Sequence, residues 1–174
     1  MRQNFEQCME WLLAHEGGYV DHPKDTGGAT NLGVTKKVWE QWVGKTVSKE
    51  DIKELTPKEV RPLYKKKYWD NVRGDDLPSG VDWAVFDWGV NSGPARAAKA
   101  LQRASGVNQD GVIGPKTLQQ VFNFEPEQLI HSIYQERQNF YEALTTFRTF
   151  GKGWTKRNQH TYQQAIMLAG VNHG

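Results

Sequence analysis

Phe5, Met9, Leu12 and Glu16 follow one another at intervals of four, three and four residues, directly before Gly17-Gly18. A helix brings positions at that spacing to one face. The chain is therefore expected to begin with a helix whose core-facing seam ends in a carboxylate, stopped by a left-handed cap at the two glycines. Apolar surroundings and the negative end of the helix dipole both disfavour a second negative charge there. Such a setting is where a glycosidase keeps the acid that protonates its leaving oxygen. The ordinary alternative is a helix-end glutamate whose stem covers apolar surface while its head reaches water.

The next stretch, Tyr19 to Thr35, is rich in turn formers, and Gly27-Gly28 is predicted to reverse a short hairpin or loop. The reversal would return Asp25 and Thr30 to face Glu16 across a cleft. A carboxyl on a helix end and a second on the returning loop would form an acid and base pair for attack by water.

Beyond this point the pattern is helical. Thr35 can cap a helix through Trp42, and Ser48 with Asp51 marks another start. Thr56-Pro57-Lys58-Glu59 is a stronger signal, with a cap, a proline at the first helical position and a glutamate reaching back. It opens a helix to about Tyr68 or Trp69. Further helices are expected over 82–90, 94–104, from Pro115, from Pro126 to about Thr146 with a seam of Leu129, Ile133, Phe140, Leu144 and Phe147, and from Trp154 to Leu168. The fold class is mainly α, with a short β-hairpin or loop after the first helix.

The runs Glu16-Gly17-Gly18-Tyr19 and Asp25-Thr26-Gly27-Gly28-Ala29-Thr30-Asn31-Leu32-Gly33-Val34-Thr35 resemble the family 108 glycoside hydrolases, N-acetylmuramidases often found as phage endolysins. Gly80 to Pro94, Asp110 to Leu118, and Gly151-Lys152-Gly153-Trp154 with Arg157 are similar to the predicted peptidoglycan-binding half usual in that family. The resemblance implies a lysozyme-like helical fold, with a catalytic region over 1–92 and a peptidoglycan-binding region over 93–174; the sequence has no internal repeat, low-complexity tract or long linker, so the helices are expected to dock into one compact body. Glu16 matches the family's catalytic acid. Phage-type lysozymes also place Glu, then Asp with eight residues between the two, and then Thr, which implies catalytic roles for Asp25 and Thr30; here the gap to Thr30 is one residue shorter. The implied reaction is hydrolysis of the β-1,4 bond between N-acetylmuramic acid and N-acetylglucosamine, with no cofactor. Two carboxyls about 6.5 to 9.5 Å apart would give inversion, and about 5 Å retention. The implied role is lysis of a host cell, the enzyme waiting in its cytoplasm until a holin opens the inner membrane.

Other features narrow the function classes. One cysteine, Cys8, excludes an intramolecular disulfide. No signal peptide and no apolar run of membrane-spanning length is legible, so neither Sec-type export nor stable membrane insertion is expected. A formal charge of +2 argues against a nucleic-acid binder, and no feature supports a dimer over a monomer. His15-Glu16 starts like a zinc-protease motif but has Tyr19 where the second histidine belongs, and the five histidines are scattered, so no metal is expected. Between Leu144 and His160 lie Arg148, Lys152, Lys156 and Arg157 with no acid, either a solvated surface or an attraction to an anionic envelope. Trp11, Trp39 and Trp83 are expected in the core. Tyr19 and Trp88 are the candidates for stacking on sugar rings. Asn91 can either hydrogen-bond an N-acetyl group or satisfy its helix end, and Asp87 is a reserve base. The competing readings are a lytic transglycosylase, which leaves an anhydro-muramic end, and a non-catalytic peptidoglycan-binding protein.

Overall fold

The computed structural model describes residues 2–21 and 28–171. By packing, the chain separates into two units, Glu6–Lys67 and Met1–Phe5 with Tyr68–Gly174. The boundary near Ser92 read from the sequence is a division by motif, and the packing makes its own division at Lys67.

The first unit holds α1 (Phe5–His15) apart from its first residue, β1 (Thr30–Asn31), β2 (Val34–Thr35), α2 (Lys36–Val43), α3 (Lys49–Lys53) and α4 (Pro57–Tyr64). Cys8, Met9 and Leu12 of α1 are buried, as the seam requires. The strands pair antiparallel, Thr30 opposite Thr35 and Asn31 opposite Val34. Leu32 and Gly33 join them at φ 53° and 78°, the doubly left-handed pair that a two-residue hairpin turn of the I′ type demands. Val20 and Thr30 form a further antiparallel bridge, exchanging two backbone hydrogen bonds of 2.8 Å. The chain therefore does return after α1. The tight reversal that the structure describes is at Leu32-Gly33, and Gly27 of the expected Gly27-Gly28 reversal lies outside the described residues.

The helix starts follow the sequence closely. Thr35 accepts from the Val38 N–H at 3.1 Å, and Ser48 with Asp51 and Thr56 with Glu59 both form reciprocal capping boxes. After Tyr64 the helix continues as a π-helical turn over Lys65–Trp69, reaching the expected end.

The second unit holds α5 (Val81–Ser92), α6 (Pro94–Ser105), α7 (Pro115–Val121), α8 (Pro126–Glu142) and α9 (Phe147–Val171). Helix α5 is its centre: every residue from Val81 to Gly89 is buried, and α6, α8 and α9 all pack against it. It starts at Gly80, φ 92°, where a Cβ would stand 2.3 Å from the Ala165 carbonyl oxygen, so only glycine lets α9 come this close. Trp83 is wholly buried, as expected, whereas Trp11 and Trp39 are only half-buried.

The helix limits differ at one place. Helix α8 stops at Glu142 rather than near Thr146, and α9 begins at Phe147 rather than Trp154. The Phe147 N–H donates to the Leu144 carbonyl at 3.0 Å, so 143–146 form a turn and the seam does not run through it. Gly151 and Gly153, which weaken a helix locally, are nevertheless helical. A Cβ on Gly151 would lie 2.4 Å from the Phe147 ring, so the glycine makes room for that ring one turn earlier. No helix among the described residues is long and apolar enough to cross a membrane.

Candidate active site

Glu16 is the first residue beyond α1, half-buried, and its N–H still donates to the Leu12 carbonyl at 3.0 Å. Gly17 and Gly18 are exposed and neither has positive φ, so the expected left-handed cap is absent. The glycines leave open space instead, with nothing within 4 Å of a Cβ on either.

The Glu16 carboxyl group lies against the hairpin turn. A Cβ built on Gly33 would come 2.8 Å from Glu16 Oε2, 3.0 Å from its Cδ and 2.5 Å from the Tyr64 hydroxyl oxygen. Gly33 is exposed and Tyr64 is buried, so the carboxyl spans from protein interior to the open face of the turn. Three neighbours hold that turn in place. The Tyr64 hydroxyl donates to the Leu32 carbonyl at 2.7 Å, which steadies a leucine in the left-handed region. The buried Asn31 side chain donates to the carbonyls of Ile52 and Lys53 at 3.0 and 3.1 Å, tying β1 to the end of α3. The bridge to Val20, four residues after Glu16, ties the segment that leaves α1 to the start of β1.

Thr30 is half-buried at the start of β1, in the same unit as Glu16, with its backbone groups used in the bridge. Asp25 lies outside the described residues. Tyr19 is half-buried and its ring carries Lys53 Nζ at 5.9 Å from the centroid, within cation–π range.

Trp88 and Asn91 belong to the second unit. Trp88 is 1 % exposed, its ring 6.2 Å from that of Phe140, and its indole N–H has no acceptor among the described residues. The Asn91 amide oxygen accepts from the hydroxyls of Tyr141 and Ser92. It thus joins α5 to α8, while the helix end is closed by the Gly93 N–H donating to the Gly89 carbonyl at 2.9 Å. Asp87 is fully buried and accepts from Arg137, Arg157 and Thr161. Burial would raise its carboxyl, but the charges and hydrogen bonds of Arg137 and Arg157 outweigh that and hold it well below the usual carboxylate range. A carboxylate so occupied is a poor proton acceptor, so Asp87 is a structural anchor and not a reserve base.

Tyr64, Gly33 and Asn31 are the residues that sequence reasoning passed over. Tyr64 had a signal: Val60, Leu63 and Tyr64 fall on the buried stripe of α4, so a hydroxyl on that stripe needs an acceptor inside.

Residues 9–93 match the family described as Glycosyl hydrolase 108. Residues 96–159 match the family described as Predicted Peptidoglycan domain. Among solved structures, that of Brucella abortus SagA is similar over 97 % of this chain and 97 % of its own, with 45 % identity and a TM-score of 0.88. Among curated proteins none matches.

Proposed function

The chain belongs to glycosyl hydrolase family 108 and carries a peptidoglycan domain, and from this premise we propose that it is an N-acetylmuramidase with Glu16 as its general acid. As a glycoside hydrolase it acts on peptidoglycan; the proposed bond is the β-1,4 link from N-acetylmuramic acid to N-acetylglucosamine. The observation that carries the assignment is the seat of Glu16, whose carboxyl lies against an exposed glycine in a turn clamped from beneath by Tyr64. A proton donor fixed on rigid elements at an open face meets the geometric need of general acid catalysis.

In the proposed step Glu16 gives its proton to the glycosidic oxygen as the bond from that oxygen to C1 of the muramic acid breaks. Water, activated or oriented by Asp25 with help from Thr30, adds to C1 and passes its proton to the Asp25 carboxylate. Tyr19 and Asn91 are retained as proposed sugar-binding residues, whereas Trp88, 1 % exposed and packed against Phe140, offers no face to a sugar ring and is a core residue instead. The test is digestion of purified peptidoglycan followed by mass spectrometry of the soluble fragments. Reducing muramic ends are expected; anhydro-muramic ends would replace the hydrolase by a transglycosylase, and wall binding without cleavage would replace it by a binding protein.

Gly33→Ala tests the seat itself. The substitution strains a left-handed position and drives a methyl group into the Glu16 carboxyl and the Tyr64 hydroxyl. Displacing a catalytic group by about 1 Å can cost about 100-fold in turnover, and a loss of that order is expected. Gly44→Ala is the control, since Gly44 has φ 76° but open space around a Cβ. It should lose only the stability that the left-handed backbone strain costs and keep its turnover. Equal turnover in the two variants would remove the turn from the site.

The proposed setting is lysis of a bacterial host from within, as the family resemblance implies, with a holin admitting the enzyme to the wall. Cytoplasmic expression in bacteria should be tolerated without a holin and lytic with one.

A further inference from the structure

Helix α6 presents Arg96, Lys99 and Arg103 on one face, at intervals of three and four residues. With Ser92, Gly93 and Ala95 they line a cavity of about 350 Å³ at the junction of α5 and α6. No carboxylate is among the lining residues. Arg103 is already engaged, donating to Glu136 at 2.6 to 3.0 Å and to Gln109 at 2.8 Å. Arg96 and Lys99 are exposed, and neither has a carboxylate partner among the described residues.

Arg96 is nevertheless held in place. Its guanidinium carbon lies 4.1 Å from the centroid of the Phe140 ring, so the planar group is laid on an aromatic face with its N–H edge free to donate. Lys99 is the flexible member, its stem running beside Gly111, where a Cβ would meet its Cε at 3.4 Å. A planar donor fixed by stacking, a mobile ammonium one helical turn away and a concave wall between them suit a planar anion. The start of α6, which has no side-chain cap, adds its partial positive charge at the same end.

We propose that this cavity binds a carboxylate of the peptide stems of peptidoglycan, so that the second unit recognises the charged peptide and not the sugar alone. The proposal rests on peptidoglycan as the substrate. Carboxylates are the anions that peptidoglycan itself carries, and phosphate polymers attached to some walls are the other source of anionic oxygen, which the test separates.

Binding is measured by co-sedimentation in a Glu16→Gln background, so that the wall stays intact. The wall is taken in three forms: purified peptidoglycan free of attached polymer, the same with its carboxyls converted to amides, and peptidoglycan with its phosphate polymer retained. Arg96→Gln with Lys99→Gln is expected to weaken binding to the first form about tenfold. Amidation should weaken the parent to the same level and leave the double variant unchanged. Lys99→Gln alone, which preserves the Arg96 stack on Phe140, should show an intermediate loss and guards against misfolding as the cause. Lys58→Gln with Lys66→Gln removes as much charge from exposed positions elsewhere and serves as the control for non-specific attraction. The proposal fails if the double variant binds the first form as the parent does, if the control pair loses as much, or if only the polymer-bearing wall distinguishes the variants. Failure of the unmutated enzyme to cleave the wall would overturn the muramidase assignment and leave this binding result standing.

Discussion

Replacing Glu16 by Gln is expected to lower the clearing of a peptidoglycan suspension by at least about 1,000-fold, within the range attributed to a positioned general acid. The amide keeps the shape of the side chain against Gly33 and Tyr64 and cannot supply the proton. Stability should change little, because α1 is held by the buried Phe5, Cys8, Met9 and Leu12 and not by the half-buried residue after its end. Thermal unfolding run beside the turbidity assay separates the two effects. If the loss is catalytic, the variant melts with the parent and still sediments with the wall. A variant that clears the suspension at the parent rate would sink Glu16 as the acid, whatever the products are.

The sequence made some elements legible because their cause is local. The capping boxes at Ser48 and Thr56 each lie within four residues, and both form as read. The seam of α1 is likewise a local period and delivers Glu16 to its place. The reversal at Leu32-Gly33 was hidden because leucine rarely accepts positive φ. What permits it is the Tyr64 hydroxyl on the Leu32 carbonyl, a contact made 32 residues away. The break between α8 and α9 was hidden for a similar reason: the apolar period continues through Leu144, while Gly151, one turn from Phe147, makes the later helix possible. Arg157 was read with Arg148, Lys152 and Lys156 as a basic surface. The structure turns it inward to Asp87, 70 residues earlier, a pairing that no spacing within one helix announces.

That pairing carries the other large effect. Asp87 Oδ2 accepts from Arg137 Nη1 at 2.8 Å and from the Thr161 hydroxyl at 2.9 Å, and Oδ1 accepts from Arg157 Nη2 at 2.8 Å. Arg137, 1 % exposed, also donates to the Tyr141 hydroxyl at 2.8 Å, and that hydroxyl reaches Asn91. One carboxylate therefore fastens α5 to α8 and α9. Asp87→Ala would leave the Arg137 charge buried without a counter-ion, with its Nη2 already lacking a partner among the described residues. Removing one member of such a pair costs about 3 to 5 kcal/mol, a large share of the stability of a domain. The pH dependence has a definite sign. Because the folded carboxyl is held below its unfolded value, near 3.9 for aspartate, its contribution is fully present above about pH 4 and fades as pH falls toward the folded value. Chemical unfolding followed from pH 7 down to pH 2 should show a wide gap between the parent and Asp87→Ala at neutral pH that narrows in acid. A gap that stayed constant across that range would mean that the ionised carboxylate is not what holds the three helices together.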